Sequence, residues 1–187
     1  RPEQRRVAQQ YASSMMSLGF ASGRELRTSD SLRALYSRGV EGADRAMESA
    51  ARHNQLDGRL DARRGRLASA AAVVFAGDNI QEMARERLRE AIQKSPTMLE
   101  HRHSLASVEA LFGDLAAARR VLHETLEVYD GYGRTYYLLA EMHEGKVDSV
   151  VLRRLRQSFW LGEFPEPDNA DFLRRTLNEL VRRGEAQ

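Results

Sequence analysis

The sequence predicts an all-α fold built as a solenoid of helical hairpins. Residues 84–96 match the chain thirty-four positions later, so that Ala84 aligns with Ala118 and Leu88 with Leu122. A period of about thirty-four residues is that of a two-helix repeat, and such repeats stack in a row instead of closing around one core. The composition agrees, because hydrophobic residues make up 42% of the chain and aromatic residues only 7%. This mixture favours helices packed closely on helices.

The N-terminal part, residues 1–58, is predicted to be a helical segment that precedes the repeats. A first helix is expected at residues 3–18, where one stripe at helical spacing carries Ala8, Tyr11, Ala12, Met15 and Leu18. Because glycine disfavours helix interiors, Gly19 and Gly23 are expected to end this helix.

Two shorter helices are expected to follow. Ser29 or Asp30 is predicted to cap the first of them. Gly39 and Gly42 are expected to separate it from a helix at residues 43–53, where a degenerate repeat aligns weakly through Ala43, Met47 and Ala50.

Residues 59–164 form the region of predicted repeats. Turn signals at residues 77–79, 95–96, 113–114, 130–133 and 145 divide it into helices at about 60–76, 80–94, 97–112, 115–128, 134–144 and 147–161. After Pro165 and Pro167, residues 165–187 are predicted to form one amphipathic helix. Its apolar residues are Phe172, Leu173, Leu177, Leu180 and Val181. Such a helix would cap the last repeat.

About residues 65–164 resemble tetratricopeptide repeats, in which small residues lie where two helices cross and larger apolar residues fill the adjacent gap. The positions that carry the resemblance are Ala72, Phe75, Ala84, Leu88, Ala91, Pro96, Leu105, Ala106, Ala118, Leu122, Tyr136, Leu139 and Ala140. Thr125 and Asp130 depart from the pattern, and a plain Ala-rich bundle is the alternative. The resemblance implies a right-handed solenoid.

The resemblance also implies that the first helix of each hairpin lines a concave groove that holds a peptide or a partner helix. The matching positions are Ser69, Val73, Glu100, His103, Ser107, Arg134, Tyr137 and Glu141. The Lys and Asn set with which some family members clamp a peptide carboxylate is missing from these positions.

A cluster of aromatic residues near the end of the repeats offers a second partner-binding surface. Its candidates are Tyr132, Phe159, Trp160 and Phe164. Packing under the capping helix is the preferred interpretation, and a docking patch is the alternative, because Tyr and Trp are enriched at interface hot spots.

Catalytic, cofactor and metal chemistry find no support in the sequence. The chain has no cysteine and no glycine-rich phosphate-binding motif. His101 and His103 are two positions apart, so on a helix they point about 200° from each other and cannot hold one ion together. Both are expected at the surface. The sequence therefore predicts no enzyme within these residues, no cofactor and no metal site.

Charge argues against nucleic acid as the partner. All 29 basic residues except Lys94 and Lys146 are arginines. Acidic residues nearly balance the basic ones, and the net charge is +2. A nucleic-acid binder normally has a large positive excess on one face. The arginines at positions 59, 63, 64 and 66 are expected to form a solvated helix face.

The sequence thus predicts a non-catalytic scaffold that binds a protein or a peptide. The alternative is the soluble accessory domain of a bacterial membrane glycan (O-antigen) ligase or polymerase, to whose repeat tails the chain is loosely similar. The start at Arg1 without a methionine predicts a longer polypeptide, in which a missing N-terminal anchor could provide membrane association. The compartment stays open between bacterial cytoplasm and periplasm, with or without a tether to the inner membrane.

Overall fold

The computed structural model describes residues 2–52, 58–75, 78–142, 149–160 and 178. Between residues 2 and 160 these ranges form eight helices and no strand, which confirms the predicted all-α class. The helices are α1 (Pro2–Thr28), α2 (Asp30–Ala51), α3 (Arg59–Phe75), α4 (Asp78–Lys94), α5 (Leu99–Leu111), α6 (Leu115–Val128), α7 (Gly133–Glu141) and α8 (Ser149–Trp160).

The chain divides into two compact units, residues 1–108 and 109–187. The division falls near the end of α5, so the first unit contains α1 to α4 and most of α5. The second contains α6, α7 and α8. The segment boundaries that the sequence suggests at residues 58 and 164 stay predictions. Except for Asn178, the predicted capping helix at residues 165–187 lies outside the described residues.

The backbone of α1 leaves helical geometry at Ser22 (φ −118°, ψ 19°), so two helical stretches meet at a kink beside Gly23, where the sequence predicted a break. The chain stays helical at Gly19, Gly39 and Gly42, where breaks were also predicted. The reason is close approach between the helices. A Cβ atom on Gly39 would lie 2.6 Å from Met15 Sδ, and one on Gly19 would overlap the Tyr36 hydroxyl. A glycine costs a helix only about 1 kcal/mol relative to alanine, which tight packing offsets.

Ser29 is the N-cap of α2, as predicted. Its side chain accepts a hydrogen bond from the backbone N–H of Leu32, which satisfies one of the free donors of the first turn.

The helix α3 is the centre of the first unit, because it packs against α1, α2 and α4. It is buried on nearly every side, and alanines make this possible by letting neighbouring backbones come near. One apolar cluster joins Leu67 of α3 to Ala8 and Ala12 of α1 and to Ala43 and Met47 of α2.

A second apolar cluster lies farther along α3. It joins Ala71 and Val74 of α3 to Leu26 of α1 and Tyr36 of α2. The two clusters together fix the α1–α2 hairpin on one side of α3.

The two helices of the α3–α4 hairpin approach each other closely at Gly65. A Cβ atom on Gly65 would lie 2.7 Å from Leu88 Cγ and 3.0 Å from the carbonyl oxygen of Ala84. An ion pair between Lys94 Nζ and the buried Asp61 Oδ2, 2.6 Å apart, joins the same two helices. The small and large positions Ala84 and Leu88 are fully buried, as the spacing predicted.

Both histidines of α5 are buried, which corrects the expectation that they lie at the surface. His101 is 4% exposed and His103 is 3% exposed. Positions two apart on a helix face different directions, so α5 is covered on more than one side at this level.

The turn that precedes α6 in the second unit requires glycine. Gly113 has φ +89°, a left-handed conformation that other residues rarely adopt, and Asp114 then caps α6 by accepting the N–H of Ala117 at 2.7 Å. The helix α7 packs against α6 and α8. The hydroxyl of the buried Tyr136 donates to the carbonyl oxygen of Asp130 at 2.8 Å, which holds the loop before α7.

Candidate binding groove

An open cavity of about 420 Å³ lies between α2, α3 and α4 in the first unit. Its lining residues are Ser37, Val40, Glu41, Asp44, Arg64, Leu67, Ala68, Ala71, Phe75, Ile80 and Met83. Most of these side chains are apolar, and the polar ones are three residues of α2 and Arg64 of α3. Pockets of this size with few polar groups are the usual form of a ligand site. We call this cavity the α2–α3–α4 groove.

Helical spacing brings the lining residues to one surface. On α3 they recur at residues 64, 67, 68, 71 and 75, which is one stripe of a helix. On α2 they recur at residues 37, 40, 41 and 44 with the same spacing, and α4 adds its first turns through Ile80 and Met83. The floor is low at Ala68 and Ala71 because their side chains are small. Met83, at 41% exposure, stands at the rim.

Arg64 and Asp44 form the charged end of the α2–α3–α4 groove. The guanidinium donates twice to the carboxylate, from Nε at 2.6 Å and from Nη2 at 2.9 Å, and Glu48 Oε2 lies 3.9 Å from Nη2. Burial lowers the pKa of Arg64, but hydrogen bonds and charge from Asp44, with smaller effects of Glu48 and Asp61, outweigh it and raise the pKa above its ordinary value. Arg64 therefore stays charged.

The burial of Arg64 corrects the prediction of a solvated basic face on α3. Arg64 is 5% exposed, whereas Arg59 and Arg66 of the same cluster are exposed. Arg63 is partly buried and donates from Nη1 to the backbone carbonyl of Gln9 at 3.1 Å. The cluster is thus divided between the interior and the surface.

Tyr36 supports the apolar end of the groove from behind. Its ring stacks on Phe75 with centroids 5.9 Å apart, and its hydroxyl donates to the carbonyl oxygen of Met15 at 3.1 Å. Only 2% of Tyr36 is exposed, and burial raises its pKa to about 12. The fold therefore requires the neutral phenol.

This shift predicts a loss of stability at high pH that Tyr36→Phe removes. The unfolded phenol ionises near pH 10 and the folded one near pH 12, so the contribution is complete below pH 10 and is lost as the pH rises to about 12. The expected loss is about 2 kcal/mol between these limits. Urea unfolding of both proteins at pH 9 to 12 measures it. Parallel pH curves for the two proteins would contradict the assignment.

A second open cavity, of about 440 Å³, lies along α1 and α2. Its lining includes Tyr11, Met15, Leu18, Leu32 and Leu35, and Glu25 and Arg38 are its charged members. Leu35 is 60% exposed. This face has apolar side chains, but nothing on it matches the buried ion pair of the α2–α3–α4 groove.

The sequence-predicted groove residues of the first unit are only partly accessible. Ser69 and His103 are both 3% exposed, which does not fit direct contact with a ligand. Val73 is half-buried, and Glu100 and Ser107 are exposed. Ser69 and Val73 also fall outside the stripe of α3 that lines the cavity.

The other three predicted groove residues belong to α7 in the second unit. Arg134 and Glu141 are exposed and Tyr137 is half-buried. The Tyr137 hydroxyl donates to Glu141 Oε1 at 2.5 Å, so these two side chains lie together, one helical turn apart.

The structure describes only some of the aromatic candidates. Tyr132 is the half-buried residue just before α7, where it serves as N-cap without a side-chain hydrogen bond to the helix. Phe159 and Trp160 lie in the last turn of α8, and their side chains are outside the described part of the structure. Phe164 lies outside the described residues altogether.

The groove residues Val40, Leu67, Ala71 and Met83 were not predicted as a site from the sequence. Their helical spacing marked only an apolar face, and such faces are usually core. The one signal that could have singled them out is Arg64 within the Ala-rich, nearly all-buried α3, because a buried charge needs a partner and a reason.

No family model matches the chain, and no curated protein is significantly similar to it. The resemblance to tetratricopeptide repeats and the looser similarity to glycan-ligase tails therefore rest on sequence features alone. Within the described ranges, no three His, Cys, Asp or Glu residues are grouped as a metal site requires. No helix of these ranges has the length and hydropathy of a membrane span.

Proposed function

We propose that this protein is a non-catalytic scaffold of tetratricopeptide-like helical hairpins that binds a peptide or a partner protein. The observation that carries the proposal is the α2–α3–α4 groove, which is open, mostly apolar and about 420 Å³ in volume. Binding to a surface of this kind is favourable, because apolar side chains of the partner displace water from it.

The packing of the first four helices supports the proposed repeat arrangement. The helices α1 and α2 pack on each other and both pack on α3, which packs in turn on α4. In a stack of hairpins each unit packs on its immediate neighbours, so the first helix of one hairpin meets both helices of the hairpin before it. On this proposal α1–α2 is the first hairpin, α3–α4 the second, and the chain continues as a right-handed solenoid.

The close packing of the groove's floor and charged end supports binding as its role. Its floor belongs to the most buried helix of the unit, and its charged end is fixed by two hydrogen bonds between Arg64 and Asp44. A preformed surface loses little conformational entropy when a partner docks, which favours affinity. No chemical step is part of the proposal, because recognition would use shape and charge alone.

Selection of displayed random peptides on the immobilised full chain tests the proposal. We expect enriched peptides that bind saturably, compete with one another and are released chemically unchanged. Failure to enrich any peptide above an unrelated helical protein of similar size would contradict the binding function.

Two variants distinguish the candidate surfaces in the same selection. Met83→Ala removes a rim side chain of the α2–α3–α4 groove, and the pair Tyr137→Ala with Glu141→Ala removes the sequence-predicted surface on α7. We expect the enriched peptides to lose affinity for the Met83 variant. Loss for the α7 variant alone would move the site to the second unit.

A further inference from the structure

We propose that the α2–α3–α4 groove binds an amphipathic helix that has a lysine or arginine beside its apolar stripe. This inference rests on the proposed function and names the chemistry of the partner. It is carried by three features of the groove, which are its length, the shape of its floor and its uncompensated charge.

The length of the groove fits a chain segment. Its stripe on α3 runs from Arg64 to Phe75, and these two residues are eleven positions apart, or about 16 Å at the rise of a helix. That distance equals about three turns of a helix. The groove also lies between two helices, α2 and α4, that flank α3, so a further helix can lie along them as helices do in apolar grooves of other proteins.

The floor and the walls of the groove differ in height, as the docking of a helix needs. Ala68 and Ala71 form a low floor, and the larger side chains of Val40, Ile80 and Met83 stand beside it. Large apolar side chains of a partner, spaced three and four residues apart, can then insert above the alanines. The partner's apolar stripe therefore needs a residue at each turn.

The charge of the lining selects a basic partner. The positive charge of Arg64 is balanced by the carboxylate of Asp44, to which it donates two hydrogen bonds. The Glu41 carboxylate is therefore the excess charge of the lining. Glu41 is exposed and accepts a hydrogen bond from Ser37 Oγ at 3.2 Å, and it forms no salt bridge within the described part of the chain. A lysine or arginine of the partner is complementary to Glu41, whereas an acidic residue at the same place is repelled.

The test uses the full chain and two fluorescent peptides of about fifteen residues, a length at which helix formation becomes favourable. In both peptides leucines alternate at spacings of three and four residues, and the other positions are alanines and uncharged polar residues. The basic peptide has two lysines flanking the stripe, and its matched partner has two glutamates there. Fluorescence anisotropy gives the Kd of each at low and high salt.

Two groove variants and two matched controls locate the binding. Glu41→Lys reverses the free charge and Met83→Asp places a charge on the rim. Glu25→Lys and Leu35→Asp make the same changes on the exposed face of the α1–α2 cavity. Circular dichroism checks that all four variants keep the helix content of the parent.

We expect the basic peptide to bind, and the acidic peptide to bind about tenfold more weakly, with the difference decreasing at high salt. Glu41→Lys and Met83→Asp are each expected to weaken the basic peptide about tenfold, and the two controls to change its Kd less than about twofold.

Four results would overturn the inference. Equal or tighter binding of the acidic peptide would refute the charge assignment. Loss of binding in the Glu25 or Leu35 variants, but not in the groove variants, would refute the site while leaving peptide binding intact. If neither peptide binds but displayed peptides of other chemistry are enriched, the ligand class is wrong and the scaffold function survives. If no peptide of any class is enriched, both proposals fail.

Discussion

Asp44→Ala is expected to lower the free energy of unfolding by about 2 to 3 kcal/mol. The substitution removes both hydrogen bonds of Arg64 and leaves its guanidinium, which is 5% exposed, without its main counter-charge. Breaking a buried ion pair on one side costs about 3 to 5 kcal/mol. The lower value is expected here because Asp44 is partly exposed and Glu48 stays 3.9 Å from the guanidinium. Urea unfolding followed by circular dichroism measures the loss.

Two controls separate the ion pair from the general effect of losing an acid on α2. Glu41→Ala removes an exposed carboxylate one turn away and is expected to change stability by about 0.5 kcal/mol or less. The double variant Asp44→Leu with Arg64→Met replaces both charges by apolar side chains, and we expect it to recover most of the loss. Equal effects of Asp44→Ala and Glu41→Ala would show that the pair contributes nothing specific.

Gly65→Ala is expected to destabilise the protein by about 1 to 2 kcal/mol, although alanine is the better helix former. Propensity alone would stabilise α3 by about 1 kcal/mol. The new Cβ atom would lie 2.7 Å from Leu88 Cγ and 3.0 Å from the Ala84 carbonyl oxygen, so α3 and α4 must separate. Forced separation of packed helices costs about 1 to 3 kcal/mol. The sign of the change is thus the decisive observation.

Gly23→Ala is the matched control for Gly65. It also lies within a helix, but a Cβ atom there would meet only Val73 Cγ1 at 3.4 Å, which is ordinary contact. We expect this variant to be unchanged or stabilised by up to about 1 kcal/mol. Thermal unfolding of both variants decides the matter, and stabilisation by Gly65→Ala would contradict the close packing of α3 on α4.

The fold class and the central helices could be predicted from the sequence, because they depend on local patterns. Apolar spacing and turn residues placed α3, α4, α5 and the end of α6 within about two residues of their ends in the structure. The break predicted near Gly23 lies at Ser22, whereas the chain stays helical at Gly19 and Gly39 for a reason outside local patterns. At both positions a side chain of the neighbouring helix lies too close for a Cβ atom, Tyr36 at Gly19 and Met15 at Gly39. Only the structure shows these neighbours.

The site was harder to predict than the fold. The sequence placed it on Ser69 and Val73 of α3, whereas the groove occupies the stripe that begins at Arg64 and Leu67. Both stripes are apolar or small, so spacing alone does not tell an open face from a covered one. The pairing of Arg64 with Asp44, twenty residues earlier, follows from how α2 packs on α3, and no rule of sequence spacing gives it.

Methyl NMR of the full chain, titrated with a peptide from the displayed-library selection, tests the central claim most directly. The account predicts that the methyl signals of Val40, Ile80 and Met83 shift in a saturable way, because these side chains form the walls of the α2–α3–α4 groove. The methyl signals of Leu32 and Leu35, on the α1–α2 cavity, are expected to stay in place. Saturable shifts at Leu32 and Leu35 with none at the groove walls would contradict the assignment of the binding site.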